Sequence, residues 1–502
     1  MAAIDKAMVD EGDNNGEQKD ETSMYTSSGI LLAPFNWLAM LAKETHWSFV
    51  FGVLSVYGVS QGVGRGIDRV TTEYYMKDVQ KVQPSESQVY QGIIGFPWLV
   101  KPLWGLLTDV VPIMGYRRRP YFIIAGIIGL VSMMMISTLD NLGIVFAIVL
   151  LTGGSAGVAI ADVTIDACVA QNSYILHNLA ADFQSLCSLS SAFGSLLGFS
   201  LSGILVHLLR PNRVYRFQCI PAGLIVLVGV MLKEPQYPGV SYKHVKEKFA
   251  VAGKAMWSTL TIPVVWRPCL YMFMSISISF GINEGMFYWI TDAKDGPQFS
   301  QETVGIIFSV GAMGSLLGAL LYLNVLKDYR FRDLLFYGQI LFGLTGLMDL
   351  VLILRLNLRM GVPDYVFVVI DECVSQMVWK LKWMPILVLS AKLCPPGIEG
   401  TFFALLMSIE NVGLLTSTWG GGLMLKILGV SRTKFDNLWL AVVIRTALRI
   451  SPVFFLFLIP GGDHSTRLLP PQLQNGECCT QRDDNEDEDV ELLPLVEDVL
   501  SK

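Results

Sequence analysis

The most informative charged residues lie in a short segment between two long apolar stretches. Residues 105–121 read GLLTDVVPIMGYRRRPY, and the 20 residues from 120 to 139 carry no charge. Charged side chains are costly within lipid, so this cluster must lie at a membrane face. Oppositely charged groups there can pair and separate as helices move, which suits a gate rather than covalent chemistry.

A second set of ionisable residues interrupts the apolar stretches themselves. Such residues usually face the interior of a helix bundle, where they hold ions or substrate. Lysine and arginine form charge-assisted hydrogen bonds with carboxylates, so basic members are candidates for substrate binding. Carboxyl groups removed from water can exchange a proton near neutral pH, so acidic members are candidates for proton coupling. The substrate-binding candidates are Lys101, Asn283, Lys380 and Arg445, and the proton-coupling candidates are Asp162, Asp166, Glu284, Asp371 and Glu410.

Other interpretations of some of these residues stay open. Asp162 and Asp166 are four residues apart and therefore share one helix face, but Asp166 could lie at the water interface. Arg449 could extend its charge to a membrane surface. Lys382 could form a structural pair with one of the acidic residues about ten positions before it.

The elements that must position these residues are membrane-spanning helices. Hydrophobic residues make up 52% of the 502 residues and charged residues only 16%, whereas a soluble protein carries about 25% charged residues. A span needs about 20 apolar residues, and within lipid its backbone must be helical. About twelve spans follow, with cores at 47–64, 89–108, 120–139, 142–161, 183–205, 217–232, 268–290, 303–323, 334–354, 365–390, 402–425 and 438–459.

The spans fall into two groups of six on either side of a basic segment, an arrangement used by secondary transporters. We therefore expect an all-α integral membrane protein of the major facilitator fold, with six-helix bundles at 46–232 and 267–460. The connector at 233–266 and the acidic, disordered tails at 1–45 and 461–502 are predicted to be cytosolic. The dense clusters of lysine and arginine near the helix ends support this orientation.

The two tails bear on location and partners. The first tail has neither a signal peptide nor a basic transit peptide, which favours the plasma or vacuolar membrane over the chloroplast envelope. In the last tail Glu488, Leu492 and Leu493 have the spacing of an acidic dileucine sorting signal, which an adaptor protein would bind, although such short motifs also arise by chance. Cysteines and histidines are scattered without metal-binding spacing, so neither a metal nor another cofactor is expected. No nucleic-acid partner is expected.

Four strings resemble the folate–biopterin transporter family, plant branch, of the major facilitator superfamily. They are YGVSQGVG from Tyr57, GFPWLVKPLWGLLTDVVPIMGYRRRPY from Gly95, DVTIDACVAQNS from Asp162 and KLCPPGIEGTFFALLMS from Lys392. The resemblance implies twelve helices in two bundles that move folates or pterins together with protons. It also implies that Gly105, Asp109, Arg117, Arg118 and Arg119 form the cytosolic gate. The aspartate and the arginines would bridge helices while the cytosolic side is closed and separate when it opens. The acidic start departs from the basic presequence of plastid members.

Three classes of function remain to be compared. The first is a proton-coupled carrier of folates, pterins such as biopterin, or another organic anion, with Lys101 and Arg445 attracting the substrate. The second is a non-transporting receptor on the same fold, with the acidic tail as its signalling arm. Charges retained along the spans argue against that class, because a receptor needs no proton carrier. An enzyme is unsupported, since the sequence has no histidine-rich metal cluster, no Cys–His arrangement and no P-loop.

Overall fold

The computed structural model describes residues 27–236, 253–254, 257–327, 329–393 and 399–459, and the structural statements below refer to these. The chain divides into two compact units, residues 1–51 and 52–502. The first contains the helix Ser27–Glu44 and the start of the segment Trp47–Val53. The sorting-signal candidates Glu488, Leu492 and Leu493 and most of the predicted connector lie outside the described residues.

Helical segments occupy each predicted span, and we number them α1 to α12 in chain order. Four consecutive segments form α1 (Trp47–Val53, Leu54–Gly64, Arg65–Tyr74, Tyr75–Val79), and the second and fourth are π-helical. The others are α2 (Pro84–Ile94, Phe96–Leu99, Lys101–Val110), α3 (Arg119–Thr138), α4 (Ile144–Ile175), α5 (Ala180–Leu208), α6 (Pro211–Met231), α7 (Pro263–Ser277, Asn283–Asp292), α8 (Gln301–Leu321, Tyr322–Leu326), α9 (Phe331–Ile353), α10 (Asp364–Lys392), α11 (Glu399–Ile427) and α12 (Leu438–Ile450, Ser451–Leu458). The last segment of α8 is π-helical, and the last segment of α12 is a 3-10 helix.

The fold class predicted from the sequence is confirmed. Regular structure in the described ranges is helical, and the only β-like pairings there are two isolated bridges. Eight helices are long and apolar enough to cross a membrane, namely α3 to α6, α8, α9, α11 and α12. Of the others, α2 and α7 are interrupted, α1 alternates between α and π forms, and α10 carries several charged residues. The number of twelve crossings stays a prediction.

Two helices extend well beyond the span cores predicted for them, in both cases through charged residues. The first span was expected to end at Gly64, but α1 continues as a helix to Val79 through a charged segment. The fourth was expected to end at Ala161, but α4 continues to Ile175 and contains both aspartates well inside the helix. An apolar-length criterion ends a span at its first charges, whereas a helix can continue when those charges face protein partners.

Helix pairings recur between the two halves of the chain. Helix α1 packs on α5, α2 on α4, and α3 on both α4 and α6; six helices later, α7 packs on α11, α8 on α10, and α9 on both α10 and α12. The main contacts between the halves join α5 to α8, and α2 to both α7 and α11. A duplicated six-helix unit would produce this repetition, although the division into two bundles stays a prediction.

Glycines permit a close approach between the halves where α5 meets α8. A Cβ atom on Gly305 would lie 2.8 Å from the backbone nitrogen of Gly203. A Cβ atom on Gly203 would lie 2.5 Å from the carbonyl oxygen of Gln301. Helix backbones can approach this closely only where small residues form the contact. This crossing therefore depends on glycine in both helices.

Candidate substrate and coupling site

The site is built around Lys101, the first residue of the last segment of α2. The helix breaks at Val100, which frees backbone carbonyl groups from the helical pattern. Helix α11 satisfies them: the Asn411 side chain donates to the Trp98 carbonyl oxygen at 3.0 Å, and the Ser408 hydroxyl donates to the next carbonyl. Irregular backbone at membrane depth is tolerated only where protein groups satisfy it. Contacts from α11 thus fix the point from which the lysine side chain extends.

Lys101 lies between the two aspartates of α4. Its Nζ pairs with the Asp162 carboxylate and lies 3.9 Å from Asp166 Oδ2. Helix α1 contributes two more polar groups, because Gln61 Nε2 donates to Asp162 at 2.5 Å and the Tyr57 hydroxyl donates to Asp166. Three predicted site residues therefore meet, together with two that the prediction did not include. We call Tyr57, Gln61, Lys101, Asp162 and Asp166 the lysine cluster.

The two aspartates of the lysine cluster differ in their access to solvent. The Asp162 side chain is 5% exposed, whereas that of Asp166 is 47% exposed. Asp162 is thus held by its ion pair with Lys101 and by the hydrogen bond from Gln61. Asp166 remains accessible to water, a proton or a ligand. The two carboxylates and the single lysine therefore form a group whose net charge changes when Asp166 binds a proton.

Charged residues of α1 were missed by the sequence analysis because the span was ended at Gly64. Arg69 pairs with the buried Glu73, and the distance from Arg69 Nη2 to Glu73 Oε1 is 2.7 Å. The available signal was the spacing of Arg65, Arg69 and Glu73 at every fourth position after the span. Such spacing places the three side chains on one helix face.

The break in α7 positions another predicted proton-coupling residue. Glu284 lies in the first turn of the second segment of α7 and is buried. Its carboxylate accepts a hydrogen bond from the Ser87 hydroxyl at 2.7 Å, and its backbone N–H donates to Gln88 Oε1 at 3.0 Å. Both partners belong to α2, so this carboxylate lies at the contact between the two halves. The side chain of its neighbour Asn283 is exposed.

The remaining candidates lie in the second half of the chain and do not join the lysine cluster. Arg445 is buried and pairs with Asp349 of α9, so a substrate would have to compete with that carboxylate. Asp371 is buried and lies 3.2 Å from the hydroxyl oxygen of Ser375, which donates to it.

Glu410 and Lys380 both contact Trp383. The indole nitrogen donates to Glu410 Oε2 at 3.1 Å, and Lys380 Nζ lies 4.6 Å from the ring centroid. The nearby Lys382 donates to the carbonyl oxygen of Ser275 at 3.0 Å. Its described hydrogen bond is therefore to backbone of α7 rather than to an acidic side chain of α10.

The predicted gate folds as a tight turn between α2 and α3, residues 111–119, which we call the arginine turn. Met114 and Gly115 have positive φ angles of 53° and 79°, and the flanking residues exchange backbone hydrogen bonds, as in a two-residue hairpin turn. The turn returns Arg118 to α2, where its guanidinium donates to Asp109 at 2.6 Å and to the Thr108 hydroxyl at 2.9 Å. Gly105 lies one turn earlier, and a Cβ atom there would make only an ordinary 3.4 Å contact with a valine of α4.

An acidic residue after α6 anchors this turn, and the sequence analysis did not identify it. The Glu234 carboxylate accepts hydrogen bonds from the backbone N–H groups of Arg117, Arg118 and Arg119, at 2.8 to 3.1 Å. These N–H groups lie at the start of α3, where the helix dipole favours a negative charge. Arg119 also donates to the carbonyl oxygen of Val230 at 2.6 Å. Two of the three arginines therefore hold the turn to their own half.

Several contacts between the halves lie at the end of the helices that is opposite the arginine turn. Lys77 of α1 donates to Asp292 of α7 at 2.6 Å, and Arg432 lies 3.6 Å from the same aspartate. The rings of Tyr74 and Phe287 meet edge to face with centroids 5.1 Å apart. We call this end, where α1 and α7 are joined, the Lys77–Asp292 end. The described state is closed there.

This all-helical architecture is the major facilitator fold, a fold of membrane transporters. The chain is similar to the crystal structure of the nucleoside transporter NupG, with a TM-score of 0.59 and 14% identity over 81% of this chain and 98% of that one. At that identity the likeness shows the fold alone.

The chain belongs to the BT1 family, whose model matches residues 61–468. It is 56% identical to the "Probable folate-biopterin transporter 2" of Arabidopsis thaliana over 94% of each chain. It is 32% identical to the "Folate-biopterin transporter" of Synechocystis over 91% of this chain and 88% of that one. The chain is therefore a membrane transporter, and the resemblance seen in the sequence is confirmed. These relatives also support the expectation that it is not an enzyme.

Proposed function

We propose that this protein carries folates, pterins such as biopterin, or related aromatic anions across a membrane together with protons. The names of its relatives support the substrate class. The observation that carries the coupling is the placement of Lys101 between two carboxylates of unequal exposure. A basic residue can bind a substrate anion only if its own counter-ions release it, and a proton supplies that release.

The coupling step follows from the charges of the lysine cluster. With both aspartates ionised the cluster carries one positive and two negative charges, which repels an anion. A proton on Asp166 makes the cluster neutral and weakens its hold on Lys101, so that a substrate carboxylate can bind the ammonium group. Asp166 is faced by Tyr57, Lys101 and Asp162 and, at longer range, by Cys187 of α5.

Access to this site alternates between the two membrane faces. The described state is closed at the Lys77–Asp292 end, and the arginine turn lies at the other end of α2. The positive-inside rule places that turn, and hence both tails, in the cytosol. The described state is then closed on the non-cytosolic side. Gly105, Asp109 and the three arginines act as the cytosolic gate when the halves rock about the site.

A partner is proposed from the last tail. The acidic dileucine motif of the last tail would bind an adaptor protein in the cytosol.

The coupling proposal is tested by Asp166→Asn, which imitates the protonated carboxyl group. We expect this variant to exchange labelled for unlabelled substrate across the membrane but to lose accumulation driven by a pH gradient. Asp295→Asn, an exposed acid in the loop after α7, serves as the control and should behave as the wild type. Accumulation that still follows the pH gradient in Asp166→Asn would refute the role of this residue.

A further inference from the structure

One of the buried carboxylates is only half used by the hydrogen bonds of the described structure. Glu410 of α11 is 7% exposed, and its Oε2 accepts the hydrogen bond from the Trp383 indole. Its other oxygen, Oε1, is buried and has no hydrogen-bond partner among the described residues. A carboxylate has about four lone-pair positions, and a buried acceptor without a donor is costly. Glu410 therefore has room to accept further hydrogen bonds.

Contacts on two sides fix the position of Glu410. Its neighbour Asn411 and, one turn earlier, Ser408 donate to the carbonyl groups at the break of α2. On the side of α10, the Trp383 indole donates to Glu410, and the Lys380 ammonium group lies 4.6 Å from the centroid of that indole. Glu410 thus lies on the part of α11 that contacts both α2 and α10. A binding group held in place in this way loses little freedom when a ligand arrives.

Trp98 connects this part of α11 to the lysine cluster. Its carbonyl oxygen accepts the hydrogen bond from Asn411 at 3.0 Å, and the ammonium group of Lys101 lies 5.2 Å from the centroid of its ring. One tryptophan therefore contacts both the residue next to Glu410 and the lysine at the centre of the cluster. A ligand that extends past Trp98 can contact Lys101 with an anionic group and Glu410 with a different part.

The partner that suits such a carboxylate is a pair of N–H groups in one plane. The pyrimidine ring of a pterin presents its N3–H and its 2-amino group side by side, and together they can donate to both oxygens of a carboxylate, as a guanidinium does. Oε2 can accept this second hydrogen bond besides the one from Trp383, because each carboxylate oxygen has two lone pairs. Folic acid and biopterin both have this edge.

We propose that Glu410 recognises the pterin ring of the substrate through the N3–H and the 2-amino group, and that Trp383 positions its carboxylate. This inference rests on the proposed function and deepens it, because it names the group that binds the ring common to folates and pterins. The proton-coupling role expected for Glu410 from the sequence is the competing interpretation. Oε1 is buried in the described state, so a ligand reaches it only when the surrounding helices move apart, as alternating access requires.

The test uses two pteridines that differ at C2 of the ring. Pterin-6-carboxylate has an amino group there, whereas lumazine-6-carboxylate has an oxo group, which only accepts hydrogen bonds. We expect the purified wild-type protein to bind the pterin at least about tenfold more tightly, because a carboxylate repels the oxo group. Glu410→Gln presents an amide N–H to that oxo group, so the preference should fall about tenfold or more. Glu44→Gln, an exposed glutamate before α1, is the matched control and should keep the wild-type preference.

A second variant tests the positioning role of Trp383. Trp383→Phe keeps an aromatic ring but removes the indole N–H that holds Oε2. We expect it to lower the affinity for pterin-6-carboxylate more than the affinity for lumazine-6-carboxylate. An equal loss for the two compounds would show a merely structural role and overturn the assignment of Trp383.

The outcomes for Glu410 separate this proposal from the proposed function. An unchanged preference in Glu410→Gln, or a wild type that binds neither compound or binds both equally, would overturn ring recognition by Glu410. An unchanged preference together with the loss of accumulation driven by a pH gradient would assign Glu410 to proton coupling instead. A preference that falls in Glu410→Gln, in a protein that transports neither folic acid nor biopterin, would support the ring site and contradict the proposed function.

Discussion

Single residues do two kinds of work in this molecule. Asp162 and Asp166 are one helical turn apart, yet one is buried in an ion pair and the other is open to solvent. Glu234 acts differently, because it binds three consecutive backbone N–H groups and holds the arginine turn in place. In the proposed mechanism the first kind of residue changes its partner during transport, whereas the second keeps a loop in register. We assign the Asp109–Arg118 pair to the first kind, and the Asp109 side chain is half exposed.

Asp109→Ala should reduce uptake by about tenfold or more while leaving the protein expressed. The substitution leaves the Arg118 guanidinium without its carboxylate, so the proposed gate loses the ion pair that bridges its helices while the cytosolic side is closed. A tenfold change corresponds to about 1.4 kcal/mol, within the range of a hydrogen bond to a charged group. Initial uptake rates, normalised to surface expression, provide the measurement. Uptake at the wild-type rate would remove Asp109 from the gate.

At the scale of elements, α11 holds both interrupted helices. Ser408 and Asn411 bind carbonyl groups at the break of α2, and the Ser417 carbonyl accepts from the N–H of Gly281 at the break of α7 at 3.1 Å. The Ser417 hydroxyl also donates to the Ser279 carbonyl at 2.6 Å. Lys101 and Glu284, the charged residues that follow the two breaks, therefore depend on one helix for their position.

Asn411→Ala should lower the stability of the purified protein by about 1 to 3 kcal/mol, because the Trp98 carbonyl loses its donor at membrane depth. It should also lower transport, because the start of the last α2 segment is no longer fixed. Asn324→Ala is the matched control, since that side chain is exposed and donates at 2.9 Å only to a carbonyl of its own helix. Thermal unfolding in detergent would show the difference. Equal melting temperatures for the two variants would contradict this account of α11.

The sequence predicted some structural elements and missed others, and both outcomes have physical reasons. Length and apolar composition located the spans, because a lipid environment imposes both. They did not show that α1 continues past Gly64, since its charges at Arg65 and Arg69 are acceptable only on a face that meets other helices. The sequence could not show that Glu234 anchors the arginine turn, because its partners lie more than 100 positions earlier in the chain. The breaks in α2 and α7 likewise depend on tertiary contacts with α11.

At the scale of the whole molecule, the described state is held closed by a small set of charges. Lys77 and Asp292 come from opposite halves, and Asp78 and Arg432 each lie within 3.6 Å of one of them. The glycine crossing of α5 and α8 brings the halves together at the same end. Opening this end must therefore separate an ion pair and two tightly packed helices, while the lysine cluster stays within the first half.

Exchanging the charges of Lys77 and Asp292 tests this closure. Lys77→Asp or Asp292→Lys alone places like charges together and should favour the state that is open at this end, whereas the double variant should restore the closed state. The measurement is the labelling of Ser85→Cys by a membrane-impermeant thiol reagent, because Ser85 is only 9% exposed in the closed state. Rapid labelling is expected in each single variant. Slow labelling in the single variants would contradict the assignment of this end as a gate.

The central claim is that this protein moves folates or pterins by coupling them to protons. The most direct test is uptake of labelled folic acid, 5-formyltetrahydrofolate and biopterin into cells that lack folate transport, with and without a pH gradient. We expect uptake of at least one of these compounds, and we expect it to collapse when the gradient is dissipated. Uptake that is indifferent to the gradient would contradict proton coupling. No uptake, with the protein shown at the cell surface, would contradict the substrate class.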